Sequence, residues 1–516
     1  MSLVKSTLTI GSFTFISRIT GFVRDVIMAN MIGASWLSDA FFVAFKLPNF
    51  FRRLFAEGAF NAAFIPSFSA ILTEQGREAA IKFAGEVLSV LLLVLLALNA
   101  IFIIFMPWIM PLFAPGFTDT PEKFNLTVTL SQITFPYILF ISLVSLLGGV
   151  LNSMGKFAAP AASPILLNLC MIGGMLWLTN ISETPAHALA YSVFIAGIVQ
   201  FAWLVYICVR LDMMPAIHSP RMTKQVKTML LLMAPAALGS GVQQLNLLID
   251  VIIASHIPGA VSYLYYADRI TELPIGMIGV AVGTALLPML SKQIKSGNLE
   301  QARTTMNRAL ELVLLFGLPC TAALCVIAEP IIRVLYQHGA FTAVDMLATK
   351  NALIAFTVGL PAFLAVKIFA PGFFANHDTK TPFKIAMLCV AVNLFFNLVL
   401  VFVFHMAHVG MALATSIAGW VNVAVMVFIL RKRGIFVADD LLTARLLKML
   451  IASVIMAIAL MLLQGYFTSM YDQGISMKIL ALGSVIAIGM GVYGLAILAL
   501  KAYDASMITK LVRRKR

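Results

Sequence analysis

Between Ser17 and Phe60 the sequence reads SRITGFVRDVIMANMIGASWLSDAFFVAFKLPNFFRRLFAEGAF. Much of it is apolar enough to lie in lipid, yet it carries Arg18, Arg24, Asp25, Asp39, Lys46, Arg52, Arg53 and Glu57. A charge at bilayer depth costs at least ~2.5–3.5 kcal/mol, so such residues face a water-filled cavity or a partner. Helix positions seven apart share a face, which pairs Ser17 with Arg24, Arg18 with Asp25 and Asp39 with Lys46. The spacing predicts two helices turning a net cationic stripe the same way. That stripe is either the wall of a hydrophilic cavity that holds an anion, or a set of helix-end arginines reaching back to the membrane interface. Further on, ADRITELP (267–274) brings Asp268, Arg269 and Glu272 together. Arg269 and Glu272 stand at i,i+3, so this group is either a self-neutralising interfacial cluster or a second charged wall. If the two stretches face each other, Arg24, Arg52 and Arg269 converge. A guanidinium stays charged and its fork matches phosphate oxygens, which suits a substrate with a diphosphate.

Other candidates are weaker. Lys367, in PAFLAVKIFAPGF, either snorkels to an interface or adds positive charge to the cavity. Asp250, Asn393, Asn397 and Thr415 offer oxygens to a small cation, but helix-to-helix hydrogen bonding explains the amides equally well. Asn168 and Asn246 read as structural. Cys170, Cys208, Cys320, Cys325 and Cys389 all sit in apolar runs with no metal spacing and read as packing residues. No phosphate-binding glycine loop, GxSxG, HExxH or Asp-rich magnesium pair occurs, so the sequence predicts a transporter, not an enzyme, and no cofactor.

The elements that must position these residues are membrane helices. The chain has 516 residues, 61% hydrophobic and 11% charged, with apolar runs near twenty residues from end to end. This predicts an all-α polytopic membrane protein of fourteen transmembrane spans, because each run can cross ~30 Å of hydrocarbon as a helix. The spans bearing the candidates are the first (7–32), second (36–72), seventh (226–254), eighth (261–291), tenth (345–375) and eleventh (381–404). The second is expected to break near Pro48 and Gly58. The first reads as a retained helix, not a signal peptide. With a cytoplasmic N-terminus, 24 Lys and Arg in the connections fall inside and only Lys123, Arg333 and Lys478 outside. The net charge of +14 is therefore a topology signal and a contact for anionic membrane lipids, not for nucleic acid. Both termini are expected in the cytoplasm.

The sequence also repeats. LPNFFRRLFAEGAFNAAFIPSFSAILTEQGREAAIKF (47–83) resembles LPIGMIGVAVGTALLPMLSKQIKSGNLEQARTTM (273–306), at an offset of about six spans. An even offset gives a parallel repeat. It predicts two six-helix lobes around a central cavity, 1–214 and 215–436, with spans thirteen and fourteen and a basic cytoplasmic tail in 437–516. Gly483, Gly489, Gly491 and Gly494 predict one thin face on the last span, for close helix packing or for a lipid tail.

The stretches SRITGFVRD, SDAFFVAFKLPNFFRRLFAEGAF, FAPGF, ITFPYILFISLVSLLGGVLN and YYADRITELP, with the LLP before Lys292, resemble the MurJ (MviN) family of lipid II flippases. That family belongs to the multidrug/oligosaccharidyl-lipid/polysaccharide exporter superfamily. The resemblance covers nearly the whole chain. It implies peptidoglycan biosynthesis at the cell inner membrane, fourteen helices in two lobes, and lipid II as cargo: undecaprenyl-diphosphate carrying a disaccharide-pentapeptide. It implies functional roles for Ser17, Arg18, Arg24, Asp25, Asp39, Arg52, Arg53, Asp268 and Arg269. Other cell-wall synthesis proteins stand as further candidate partners. Some relatives have a sodium site with acids on spans seven and eleven; this chain keeps Asp250 but has Asn393 and Asn397 on span eleven. The alternative reading is a cation-coupled drug or polysaccharide exporter of the same superfamily, which would favour acidic residues and aromatics in its cavity.

Overall fold

A computed structural model of the chain describes residues 3–503, apart from side chains at 3–8, 56–57, 234, 236, 238–240, 242–243, 280–281 and 284. Every regular element among the described residues is helical, as a chain in hydrocarbon requires if its backbone is to satisfy its own polar groups. Among those residues, eleven helical segments are long and apolar enough to cross a membrane. They coincide with eleven of the fourteen expected spans. The other three, spans one, seven and eight, are also helical, and they are the ones that carry Arg24, Asp250 and Arg269.

The chain packs as two compact units, Met1–Ser262 with Gly339–Phe341, and Tyr263–His338 with Thr342–Arg516. The first contains α1 (Leu3–Ile32), α2 (Trp36–Phe51), α3 (Asn61–Gln75), α4 (Arg77–Phe113), α5 (Pro121–Thr134), α6 (Tyr137–Ser153), α7 (Ala158–Trp177), α8 (Pro185–Arg210), α9 (Lys224–Ser255) and the start of α10 (Ala260–Pro274). Here α1 packs on α7, α2 on α5, and α9 on α3 and α4. The break expected in span two is a π-helical run, Arg52–Phe60, joining α2 to α3, and α9 packs against it as well. Gly33 (φ 60°) allows a close approach: a Cβ there would lie 2.3 Å from the Ala340 carbonyl, beside the Ala340 N–H that donates to Asn30 O at 2.8 Å.

The second unit holds the remainder of α10, a π-helical run Ile275–Gly279, α11 (Val280–Lys295), α12 (Leu299–Val326), α13 (Ala328–Leu335), α14 (Ala343–Phe374), α15 (Lys380–Leu398), α16 (Ala407–Lys432), α17 (Asp440–Phe467) and α18 (Ile475–Ala499). α14 is its centre, packed on α16, α12 and α11. The π-helical runs follow Pro48 and Pro274, the prolines that head the two copies of the sequence repeat.

Proline inside a helix strips the carbonyl four residues earlier of its donor, and in lipid that carbonyl needs another. Neighbouring helices supply it. Thr134 of α5 donates to Ala44 O, four before Pro48, at 3.1 Å, and Gln132 Nε2 of α5 to Ile103 O, four before Pro107, at 2.9 Å. In the second unit Tyr493 Oη of α18 donates to Leu315 O, four before Pro319, at 2.8 Å. Gln464 Nε2 of α17 donates to the carbonyl of Val326, the last residue of α12, at 2.6 Å.

α17 and α18 are thus tied to α12 by hydrogen bonds, α17 packs along α12, and α18 packs on α13. An ionic cluster adds to this. Glu311 of α12, only 1% exposed, accepts from Arg445 of α17 at 2.5 Å and from Arg308 and Tyr503. The glycines of α18 do not form the single thin face expected. Gly489 meets Leu460 of α17, whereas a Cβ on Gly483, Gly491 or Gly494 would touch nothing within 4 Å.

Candidate functional site

α1 carries Arg24 and Asp25 into the packed interior of the first unit, where they are 5% and 2% exposed. Arg24 Nη2 donates to Asp25 at 2.6 Å, and Nη1 donates to Asn168 Oδ1 of α7 at 3.1 Å. Asn168 in turn donates to Ser17 O at 3.0 Å and to Thr20 Oγ1 at 3.1 Å. One amide therefore stitches α7 to two turns of α1 and orients the guanidinium. Gly21 leaves room for it, since a Cβ there would lie 3.4 Å from Asn168 Nδ2. Asn168 was expected to be structural; it also touches a candidate residue, which nothing in its local sequence signals. Arg18, on the same helix, is exposed, and Ser17 is half-buried.

Asp39 of α2 is fully buried and accepts four hydrogen bonds. Lys123 Nζ of α5 donates at 2.8 Å; the backbone N–H groups of Gly259 and Ser262 donate at 3.1 and 3.0 Å, and the Ser262 hydroxyl at 2.6 Å. The carboxylate thus sits at the N-terminus of α10, where unfilled backbone donors and the helix dipole favour an anion. Lys123, counted above as an outer connection, is instead a buried partner lying 3.9 Å over the Phe117 ring. Lys46, one heptad on from Asp39, is half-buried.

Arg52 and Arg53 open the π-helical run. Arg53 is exposed; Arg52 is half-buried and borders a cavity of about 180 Å³ within the first unit. π-Helical turns concentrate at functional sites because they re-aim side chains away from regular helix register. The Glu57 side chain lies outside the described residues.

In the second unit Asp268 is exposed, and Arg269 makes the expected i,i+3 pair with Glu272 at 3.3 Å. Arg269 also donates to Tyr265 Oη at 3.1 Å and lies 4.8 Å over that ring. Lys367 of α14 is exposed; a Cβ added at Gly279 would lie 3.2 Å from its Cγ, and one at Gly283 3.1 Å from its backbone carbonyl. Asn397 Nδ2 donates to Asn393 at 2.9 Å and Asn393 Nδ2 to Thr415 Oγ1 at 3.2 Å, a ladder that ties α15 to α16. Asp250 accepts from Asn246 at 3.3 Å. Among the described residues no group of three or more His, Cys, Asp or Glu is placed to hold a metal ion.

A family model described as lipid II flippase MurJ matches residues 28–482. The chain is 41% identical over 526 residues to a probable lipid II flippase MurJ of Rhizobium tropici, covering 100% of this chain and 98% of that one. It is 40% identical over 495 residues to that of Rickettsia prowazekii, covering 96% and 97%. A solved structure, lipid II flippase MurJ in an inward closed conformation, superposes with a TM-score of 0.79 at 31% identity, over 95% of this chain and 98% of that one. An inward-facing multidrug resistance MATE transporter of the MOP superfamily shares the fold, with a TM-score of 0.67 at 15% identity over 83% and 98%. By sequence along its whole length and by fold, the chain belongs to the MurJ family of lipid II flippases.

Proposed function

We propose that this chain is a lipid II flippase. It moves the undecaprenyl-diphosphate-linked peptidoglycan precursor from the cytoplasmic to the periplasmic leaflet by alternating access, without covalent chemistry. Arg24, Arg52 and Arg269, with Arg18 and Arg53, hold the diphosphate. Ser17, Asp25, Asp39, Glu57, Asp268 and Glu272 balance and orient those charges, and Lys367 adds positive charge to the cavity. Two lobes, 1–214 and 215–436, carry the alternation, and both termini lie in the cytoplasm beside anionic headgroups and other cell-wall synthesis proteins.

Family membership supports the cargo. The observation that carries the site is Arg52, a guanidinium inside a membrane helix, at the head of a π-helical run and on the wall of a cavity with both polar and apolar lining. A permanently charged fork there has a reason to exist if the ligand brings a diphosphate. The test is complementation by Arg24→Ala, Arg52→Ala and Arg269→Ala as sole copies. Each is expected to lose lipid II export while still reaching the membrane, and lysine is expected to rescue only in part because it lacks the fork. Normal growth of all three alanine variants would remove the diphosphate assignment.

A further inference from the structure

The cavity beside Arg52 lies wholly within the first unit. Its wall is contributed by the π-helical run, α3, α6, α7 and α8, and apart from Arg52 its polar groups are neutral: Asn61, Ser145, Asn152, Ser163 and Gln200. Two of these are deeply buried with hydrogen-bonding capacity to spare. Gln200 is 1% exposed; its Nε2 donates to Ser163 O at 2.8 Å, and its Oε1 has no partner among the described residues. The Ser163 hydroxyl, on a residue 3% exposed, has none either. Buried amide oxygens and hydroxyls are normally satisfied, and each exception calls for a ligand, solvent or a functional cause. On α6, Gly148 and Gly149 present bare backbone to the same space, and Ile141, Val144 and Leu167 give it apolar flanks.

We propose that this cavity is a neutral hydrogen-bonding subsite for the first sugar of a saccharide-bearing lipid diphosphate. The proposal rests on the reading of Arg52 as a diphosphate ligand. In such a lipid the sugar is bonded directly to the phosphate, so the wall next to a phosphate-holding guanidinium is what that sugar meets. A sugar offers hydroxyl and amide groups without charge, together with apolar C–H faces. Gln200 Oε1 accepts from such a hydroxyl or N–H, the Ser163 hydroxyl donates or accepts, and the Asn61 and Asn152 amides can do both. A pocket built to hydrogen-bond a ligand's polar groups discriminates against an analogue that lacks them, because its own groups are then left unpaired. At about 180 Å³ the cavity far exceeds what a single water needs.

The experiment is a binding titration of the full-length protein in nanodiscs with two ligands, undecaprenyl diphosphate and the same lipid bearing the disaccharide-pentapeptide. The proteins compared are wild type, Gln200→Leu, Ser163→Ala and Arg52→Ala. Gln200→Leu and Ser163→Ala are each expected to weaken the sugar-bearing lipid by about two- to tenfold, the weight of one neutral hydrogen bond, and to leave undecaprenyl diphosphate unchanged. Arg52→Ala is expected to weaken both lipids. If the two neutral substitutions shift both lipids alike, or neither, the cavity holds solvent only and the subsite is overturned, whatever Arg52→Ala does. If Arg52→Ala leaves both lipids unchanged, the diphosphate reading falls and takes this subsite with it. Ser163→Ala removes a single oxygen and adds no bulk, so it decides the matter should Gln200→Leu fail to fold.

Discussion

Asp39 shows how far a single side chain can depart from its reading in the sequence. Its heptad spacing to Lys46 marked it as part of a cavity stripe, but its carboxylate is fully buried and filled by Lys123, Gly259 and Ser262. Removing one partner of a buried ion pair leaves an uncompensated charge, at a cost of about 3–5 kcal/mol. Lys123→Met should therefore lower the melting temperature sharply, and Asp39→Asn added to it should recover part of the loss. A silent Lys123→Met would show that the three donors from Gly259 and Ser262 suffice. Asp378, between α14 and α15, gives a pH-dependent case. Slight burial raises its pKa, but hydrogen bonds from Thr381 and the neighbouring Arg433 outweigh this and hold the carboxyl down from its ordinary 3.8 to about 2. A depressed carboxyl pKa stabilises the fold at pH values above the unfolded pKa, and that contribution is lost as pH falls through the folded one. Arg433 is 38% exposed, so the gain is at most about 1 kcal/mol. Asp378→Asn should melt slightly below wild type at pH 6, with the difference closing between pH ~4 and ~2; a gap that persists at pH 2 would assign the effect to packing.

At the scale of elements, prolines and their donors fix which helices touch. Tyr493→Phe should cost about 1–3 kcal/mol, because it strands the Leu315 carbonyl in an apolar setting. In a Pro319→Ala background the same substitution should cost almost nothing, since the introduced alanine would return a backbone N–H to that carbonyl. A full-sized penalty in both backgrounds would show that the phenol acts through packing alone. The sequence makes the helices themselves legible, since hydropathy and length report burial in lipid directly. It also marks the two proline-headed positions, each of which becomes a π-helical run. What it hides is the donor. Tyr493 lies 178 residues from Leu315, and no local pattern joins them. The same holds for Asn168 with Arg24, and for Gln200 and Ser163 beside Arg52. Neutral amides inside apolar helices look alike whether they bridge helices or line a cavity, and only the packing separates those roles. The α18 glycines mislead for a related reason: a glycine's count is visible in sequence, but not whether a neighbour meets it, and only Gly489 finds one in Leu460.

For the molecule as a whole, charge placement is the legible signal. The division of Lys and Arg, 24 inside against three outside before buried Lys123 is set apart, is the ground for the proposed orientation. Cysteines introduced near Arg77, Lys224 and Lys380 should be protected from an impermeant reagent added outside intact cells, and cysteines near Thr118 and Asp472 should react. The opposite pattern would invert the assigned topology. Among the described residues eleven helical segments are apolar enough to cross a membrane, and α1 is interrupted by its own charges, Arg18, Arg24 and Asp25. The last two helices, which the repeat leaves outside both lobes, are not loosely appended: Arg445 and Tyr503 supply two of the three partners of buried Glu311.

The proline-and-donor pairs also carry a history. A tyrosine or glutamine facing an intact helix makes no demand on it and can appear or vanish freely. A proline arriving first strands a carbonyl in lipid and is selected against. Only the order donor, then proline, is open, and once taken it is hard to reverse, because losing the donor now does harm that it would not have done before. Relatives bearing the tyrosine of position 493 without the proline of 319 should therefore outnumber those with the proline alone. Each such pair acts as a ratchet, converting a neutral contact between two helices into one the lineage can no longer discard.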